Sequence, residues 1–370
     1  VTPTLTASEV PAPTDGAHPR AAPRALQRVL KQVLQLAAML AIALAMLTVI
    51  LLATGHAVGP ALAALVRGAF GSWYAITSAT LVRAVPLGLA GLAVAMAFRA
   101  GLLNIGAEGQ LLVGAVAAAA LAAPLAATSP WLAIPLLLLA GAAAGALWAG
   151  VAALLRLRFG VLEVISTIML NFLALYLTGW LVRGPLQEPT HINPQSATLA
   201  TALQLPVLVD GTRLHAGVPL LVVVAVAAWW WLARTAAGFR LRAVGMNPFA
   251  AHTTGRIVVP RTLLLAFVLS GVLAGLAGAV EYTGVTFSLY ENLSPGYGYT
   301  AIAVALLARL HPLGVLGTAL LFGALEAGAN AMQRDAGVPS VVVNVVEALL
   351  ILLVVSADRL RARAPGEVGT

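Results

Sequence analysis

Residues 98–115 read FRAGLLNIGAEGQLLVGA, with long apolar runs on either side. Arg99, Asn104, Glu108 and Gln110 interrupt the run, together with Gly101, Gly106, Gly109 and Gly114. A loop in water is not flanked by Leu, Val and Ala on both sides. A helix facing lipid does not carry a carboxylate, because a charge at mid-bilayer costs ~2.5–3.5 kcal/mol on insertion scales. The stretch therefore reads either as unwound backbone inside a membrane bundle or as a turn at its cytoplasmic rim. Unwound backbone is tolerated at depth only where protein or water covers its donors and acceptors.

Composition decides the solvent around it. The 370 residues are 61% hydrophobic and 9% charged, against about 25% charged in soluble proteins. Apolar runs recur at roughly the 20-residue length that crosses a hydrocarbon core as a helix. They are continuous rather than alternating, so the expected fold is an all-α polytopic membrane protein. About ten transmembrane helices are predicted, near 33–53, 76–98, 109–126, 131–154, 161–182, 218–233, 262–281, 298–310, 312–331 and 339–356. Residues 1–30 are rich in Pro, Ala and Thr and read as a disordered cytoplasmic tail. Residues 31–357 form the transmembrane domain and 358–370 a second cytoplasmic tail. The run 33–53 is too long for a usual signal-peptide core and reads as an uncleaved first span.

The net charge of +8 reads as orientation rather than nucleic-acid binding. With the N-terminus inside, sixteen of the 21 basic residues fall on the cytoplasmic side, Arg99, Arg156, Arg234, Arg261 and Arg309 among them. Arg67, Arg83, Arg183, Arg213 and Arg334 fall outside or near the outer ends of spans. That bias fits an even number of spans in a multi-pass cell-membrane protein with both termini cytoplasmic. Cysteine is absent, so disulfides and thiolate metal sites are excluded.

Two segments break the apolar pattern in a similar way. Gly91-Leu92-Ala93 precedes the break at 98–109, and Gly275-Leu276-Ala277 precedes EYTGVTFSLYENLSPGYG at 281–298. In the predicted topology the two helices run in opposite directions, as in inverted repeats with paired broken helices. Chance recurrence in an Ala- and Leu-rich chain is the other reading.

Polar residues inside spans are the candidate pathway. Glu163, Thr167 and Asn171 are spaced i, i+4, i+8 and share one helix face, with Thr178 near the same stripe. Glu326, Asn330 and Gln333 repeat the idea, as do Asn344 and Glu347. Such groups either line a wet path or hydrogen-bond helices to one another, at ~0.6 kcal/mol each. The candidate pathway residues are Asn104, Glu108, Gln110, Thr167, Asn171, Glu291, Tyr297 and Tyr299. Tyr282 and Tyr290 read as interface anchors.

Catalytic equipment is not expected. A phosphate-binding loop needs a Lys after Gly, and the one Lys is Lys31, before a hydrophobic span. The six histidines form no metal-ligand spacing, so no metal site and no bound cofactor are expected. The internal loop 234–261 offers something else. Asn247 is a good N-cap and Pro248 suits the first helical position. PFAAHTT then makes a short helix, closed near Gly255, that either docks into a cytoplasmic partner through Phe249 or merely connects spans.

FRAGLLNIGAEGQLLVGA, EVISTIMLN, GFRLRAVGMNPFAA and SGVLAGLAGAVE…SPGYGYTAIAVALLARLHPLG together resemble the permease subunit of nucleoside-type ABC importers. That group lies within the branched-chain amino acid and simple-sugar permease superfamily. The resemblance runs from about residue 30 to 360. It implies a second homologous permease subunit sharing one pathway, and an ATP-binding subunit that carries ATP and Mg. It also implies an extracytoplasmic substrate-binding lipoprotein. On this resemblance Gly245, Met246, Asn247, Pro248, Phe249 and Ala250 form the coupling element to the ATPase. Two alternatives stand beside it: an ABC permease for a simple sugar, and an ion-coupled carrier using Glu108 or Glu326 for protons, which would need no docking helix.

Overall fold

The computed structural model describes residues 38, 41–253, 255–339, 342, 345 and 348. The two tails, the first half of the span at 33–53 and nearly all of the span at 339–356, with Asn344 and Glu347, lie outside these residues.

Helices α1 (Ala41–Ala53), α2 (Val58–Phe70), α3 (Leu81–Arg99) and α4 (Ala107–Ala122) open the described chain. They are followed by α5 (Pro130–Phe159), α6 (Glu163–Val182), α7 (Gly217–Arg234), α8 (Ala236–Met246) and α9 (Pro248–Thr253). The last three are α10 (Val259–Glu281), α11 (Tyr297–Leu307) and α12 (Pro312–Ala336). A π-helical turn, Ala75–Thr80, leads into α3, and another, Tyr282–Thr286, extends α10. Among the described residues six helices are long and apolar enough to cross a membrane, and α1, α2, α4 and α11 are shorter apolar helices. The second to ninth predicted spans each correspond to one of these helices.

Two helices were not anticipated. Helix α8 lies within what reads as an internal loop. Helix α2 fills the supposed connection between the first two spans. At 13 residues α2 is too short to cross alone. It packs along α12, where Ala61 and Ala64 meet Ala329 and Met332.

Helices α3 and α10 are the centre of the bundle. Apart from Arg83 and the terminal Arg99, helix α3 is apolar and buried on nearly every face, as expected of a helix enclosed by others. The two run antiparallel: Ala97, near the end of α3, shares a cluster with Ala266 and Phe267 in the first part of α10. Ser270 Oγ of α10 donates to Ala93 O of α3 at 2.7 Å.

The helices after each break change partners. Helix α4, which follows α3, packs on α10, and α11, which follows α10, packs on α3. In the same way α5 packs on α10 and α12 on α3. Exchanging α3–α4–α5 for α10–α11–α12 therefore maps contacts onto contacts, which is the arrangement of an inverted repeat. Small residues permit the close crossing. A Cβ on Gly114 of α4 would collide with Gly275 backbone on α10, and one on Gly145 of α5 would meet the same glycine.

One end of the bundle is basic. Arg99 Nε donates to Leu310 O at 2.9 Å, joining the end of α3 to the turn after α11. Arg156, at the end of α5, pairs with Glu163 at the start of α6. Segment 183–216 lies at the opposite end and rests on the second break. Ser196 N donates to Leu289 O, Leu199 N to Phe287 O, and Leu205 N to Thr283 O, all within 2.9 Å. Arg213 N donates to Ser78 Oγ and Arg213 Nη2 to Val285 O, both at 2.9 Å. Both π-helical turns thus hold this segment.

Candidate functional site

The first break is residues 100–106. Gly101 turns the chain with φ of +77°, and the backbone re-enters the bundle before α4 begins. Asn104 organises it. Its Nδ2 donates to Ser270 Oγ at 2.9 Å and to Gln110 Oε1 at 3.1 Å. Its Oδ1 accepts from Gly106 N at 2.9 Å and from Gln110 Nε2 at 3.2 Å. Asn171, on the buried stripe of α6, closes the other side. Its Oδ1 accepts from Gly109 N and its Nδ2 donates to Ile105 O, both at 2.9 Å. Asn104, Gln110 and Thr167 are sealed from solvent. Thr167 donates its hydroxyl back to Glu163 O at 2.7 Å.

The second break is residues 287–296. Ser294 Oγ accepts from Tyr297 N at 3.0 Å and caps the start of α11. Gly298 lies so close to the start of α4 that a Cβ there would overlap Glu108 backbone. The Glu108 carboxylate fills this junction. Its Oε2 accepts from Gly298 N at 2.6 Å, and the Ser294 side chain also bonds it. The amino ends of α4 and α11 therefore meet around one carboxylate, where the partial positive charge of both helix dipoles favours an anion.

The predicted pathway residues fall into two groups. Asn104, Glu108, Gln110, Thr167, Asn171 and Tyr297 are buried. Tyr299 is 40% exposed, with its hydroxyl accepting from Asn171 Nδ2 at 3.3 Å. Glu291 is one-third exposed and forms a two-point ion pair with Arg183, at 2.5 and 3.3 Å. Tyr282 is fully buried; reading it as an interface anchor was wrong, because its ring is enclosed where segment 183–216 covers the bundle end. Ser270 and Ser294 escaped sequence reading, since each matters only through a partner far away in the chain. The Ser294-Pro295-Gly296 punctuation before an apolar run was the available signal for the cap.

The segment behind the first break is the other half of the site. Asn247 Oδ1 accepts from Phe249 N and Ala250 N, both at 3.0 Å, which is the expected N-cap of α9 with Pro248 in its first position. Ala251 anchors α9 against Val244 and Ile257. Phe249 and Met246 project outward, 83% and 86% exposed. Gly245 of α8 lies directly on Arg99 O, with no room for a Cβ, and 3.5 Å separates its Cα from a Cβ built on Gly101. The exposed segment thus touches the first break from behind. Among the described residues no three His, Asp or Glu side chains come together where a metal ion could be held.

A family model for the branched-chain amino acid transport system permease component matches residues 76–355. The chain belongs to that family. It is 38% identical to the guanosine ABC transporter permease protein NupP of Bacillus subtilis over 84% of this chain and 90% of that protein. It is 39% identical to the glucose ABC transporter permease protein TsgB13 of Haloferax volcanii over 75% of each. With the nucleoside ABC transporter permease protein NupB of Lactococcus lactis it shares 33% identity, over 74% of this chain and 78% of that protein. No solved structure matches. The permease is therefore a multi-pass membrane protein of a transport family.

Proposed function

We propose that this permease is the membrane subunit of an ATP-driven ABC importer and that its substrate is a nucleoside. The observation that carries the ATP-driven part is the Asn247-capped helix α9. It presents exposed Phe249 beside exposed Met246 of α8 at the basic end, while Gly245 rests on the first break. A partner that pushes on α9 moves the backbone around Asn104 without further linkage. The basic end faces the cytoplasm, a reading the bias of arginines supports, and an ATP-binding subunit with its ATP and Mg docks there. Segment 183–216 then faces the substrate-binding lipoprotein.

The pathway runs along the face that carries Tyr299 and Glu291, and a second homologous permease closes it. Tyr299 offers an exposed aromatic ring on which a flat base stacks. The names of two relatives, guanosine and nucleoside permeases, support the nucleoside reading; the glucose permease keeps a simple sugar as the second.

Reconstitution of the chain with its ATPase, companion permease and lipoprotein in vesicles tests this. ATP-dependent uptake of labelled guanosine is expected. ATP-dependent uptake of glucose alone would overturn the substrate. Uptake by this chain by itself, driven by a pH gradient, would overturn the ATP-driven mechanism.

A further inference from the structure

A second polar cluster lies between the same helices, toward the end covered by segment 183–216. Four helices contribute: Arg83 from α3, Glu281 from α10, Tyr297 from α11 and Glu326 from α12. Glu326 is engaged through one oxygen. Its Oε1 accepts from Arg83 Nε at 3.2 Å and from the Tyr297 hydroxyl at 3.3 Å. Glu281 is 2% exposed, and its Oε2 has no hydrogen-bond partner.

The charges that reach Glu281 are Glu326, Arg83 and Arg213, and the nearby phenols are Tyr290 and Tyr297. Arg83 is committed to Glu326, and Arg213 Nη2 donates to Val285 O. An ionised Glu281 would stand beside a second carboxylate with one oxygen bare. A buried unpaired carboxylate is so costly that the group neutralises instead, and two carboxylates sharing a site do not both ionise readily.

We propose that Glu281 is a proton-binding site, holding one proton as a neutral carboxylic acid in this conformation. The proton comes from water and joins a Glu281 carboxylate oxygen; no electron moves. Arg83 is the most exposed member of the cluster, with 30% of its side chain open against 19% for Glu326, and marks the side from which the proton enters. All four groups come from helices of the two repeat halves, so the site exists only while α3, α10, α11 and α12 are packed as here. This inference concerns the chain's own charge state and does not depend on which solute is carried or what drives it.

Infrared difference spectroscopy of the full-length protein in lipid nanodiscs at neutral pH tests it. The wild type is expected to show a neutral-carboxyl carbonyl band that is lost in Glu281→Gln and retained in Glu326→Gln. A Glu281→Gln spectrum with that region unchanged would overturn the proposal. Assembly provides an independent check. A neutral, unpartnered acid has no charge to lose, so Glu281→Gln and the apolar Glu281→Met are both expected to insert at the wild-type yield. Failure of both to yield folded protein would mean that the ionised form is needed, and would equally overturn it.

Discussion

The two breaks occupy equivalent places in the repeat, yet they are built differently. At 100–106 the polar groups turn inward: Asn104, Gln110, Ser270 and Asn171 satisfy one another and the unwound backbone. At 287–296 the chain opens outward, with Glu291 paired at the surface and Tyr299 half out of the bundle. The first break is closed to solvent and touches the segment before α9 through Gly245. The second is the more exposed side. Glu108 belongs to the first and bonds the second, so one carboxyl group joins the two breaks.

The largest effect is expected behind the first break. Asn247→Ala combined with Phe249→Ala should leave membrane insertion intact and reduce uptake to background while the ATPase continues to hydrolyse ATP. Normal uptake by the double variant would remove the docking role. Next is the shared carboxylate. Glu108→Ala deletes the acceptor of the Gly298 N–H bond, and uptake should fall about tenfold or more (a factor of ten corresponds to ~1.4 kcal/mol) in a bundle that still purifies as a folded protein. Unchanged transport would make Glu108 a packing residue only.

A pair of variants then separates the two breaks directly. Asn104→Ala strands the Gln110 amide and Gly106 N, each left unsatisfied at a cost of ~1–3 kcal/mol, while Ser270 keeps its bond to Ala93 O; the melting temperature in detergent should fall clearly. Tyr299→Phe loses one peripheral hydrogen bond and should leave that temperature within the shift expected for ~1 kcal/mol, with its effect confined to uptake. Equal melting losses would show that the breaks are mechanically alike. The smallest effect belongs to the covering segment. The Asn193 backbone N–H, with Gln195 and Thr190, holds the Glu188 carboxyl below its usual range. The order this lends to 188–195 is present above the ordinary carboxylate pKa and lost as pH falls through the lowered one. Hydrogen exchange of that segment should rise on acidification in the wild type and change less in Glu188→Gln.

The breaks themselves were legible because glycines and amides in an apolar run have few other uses. The stripe of Thr167 and Asn171 was legible because helical period fixes a face. The cap at Asn247 was legible because it acts within three residues. Helix α2 was not, since 13 residues fall short of a span and its reason for forming is the surface of α12. The sealed state of Asn104 and Gln110 was equally invisible: the same residues suit a wet path or a dry staple, and Ser270, 166 positions away, decides between them.

The amino-acid order alone determined that this protein lives in lipid, that it is helical, where most helices lie, and which end is basic. These follow from transfer free energies and backbone periodicity, which act locally or sum over the chain. Only the tertiary structure decided that α4 and α11 change partners, that their amino ends meet at Glu108, and that Glu281 Oε2 is left without a hydrogen-bond partner. Each depends on groups far apart in the chain, such as Glu108 and Gly298, 190 positions apart, and no local pattern records which distant atom will arrive within hydrogen-bonding reach.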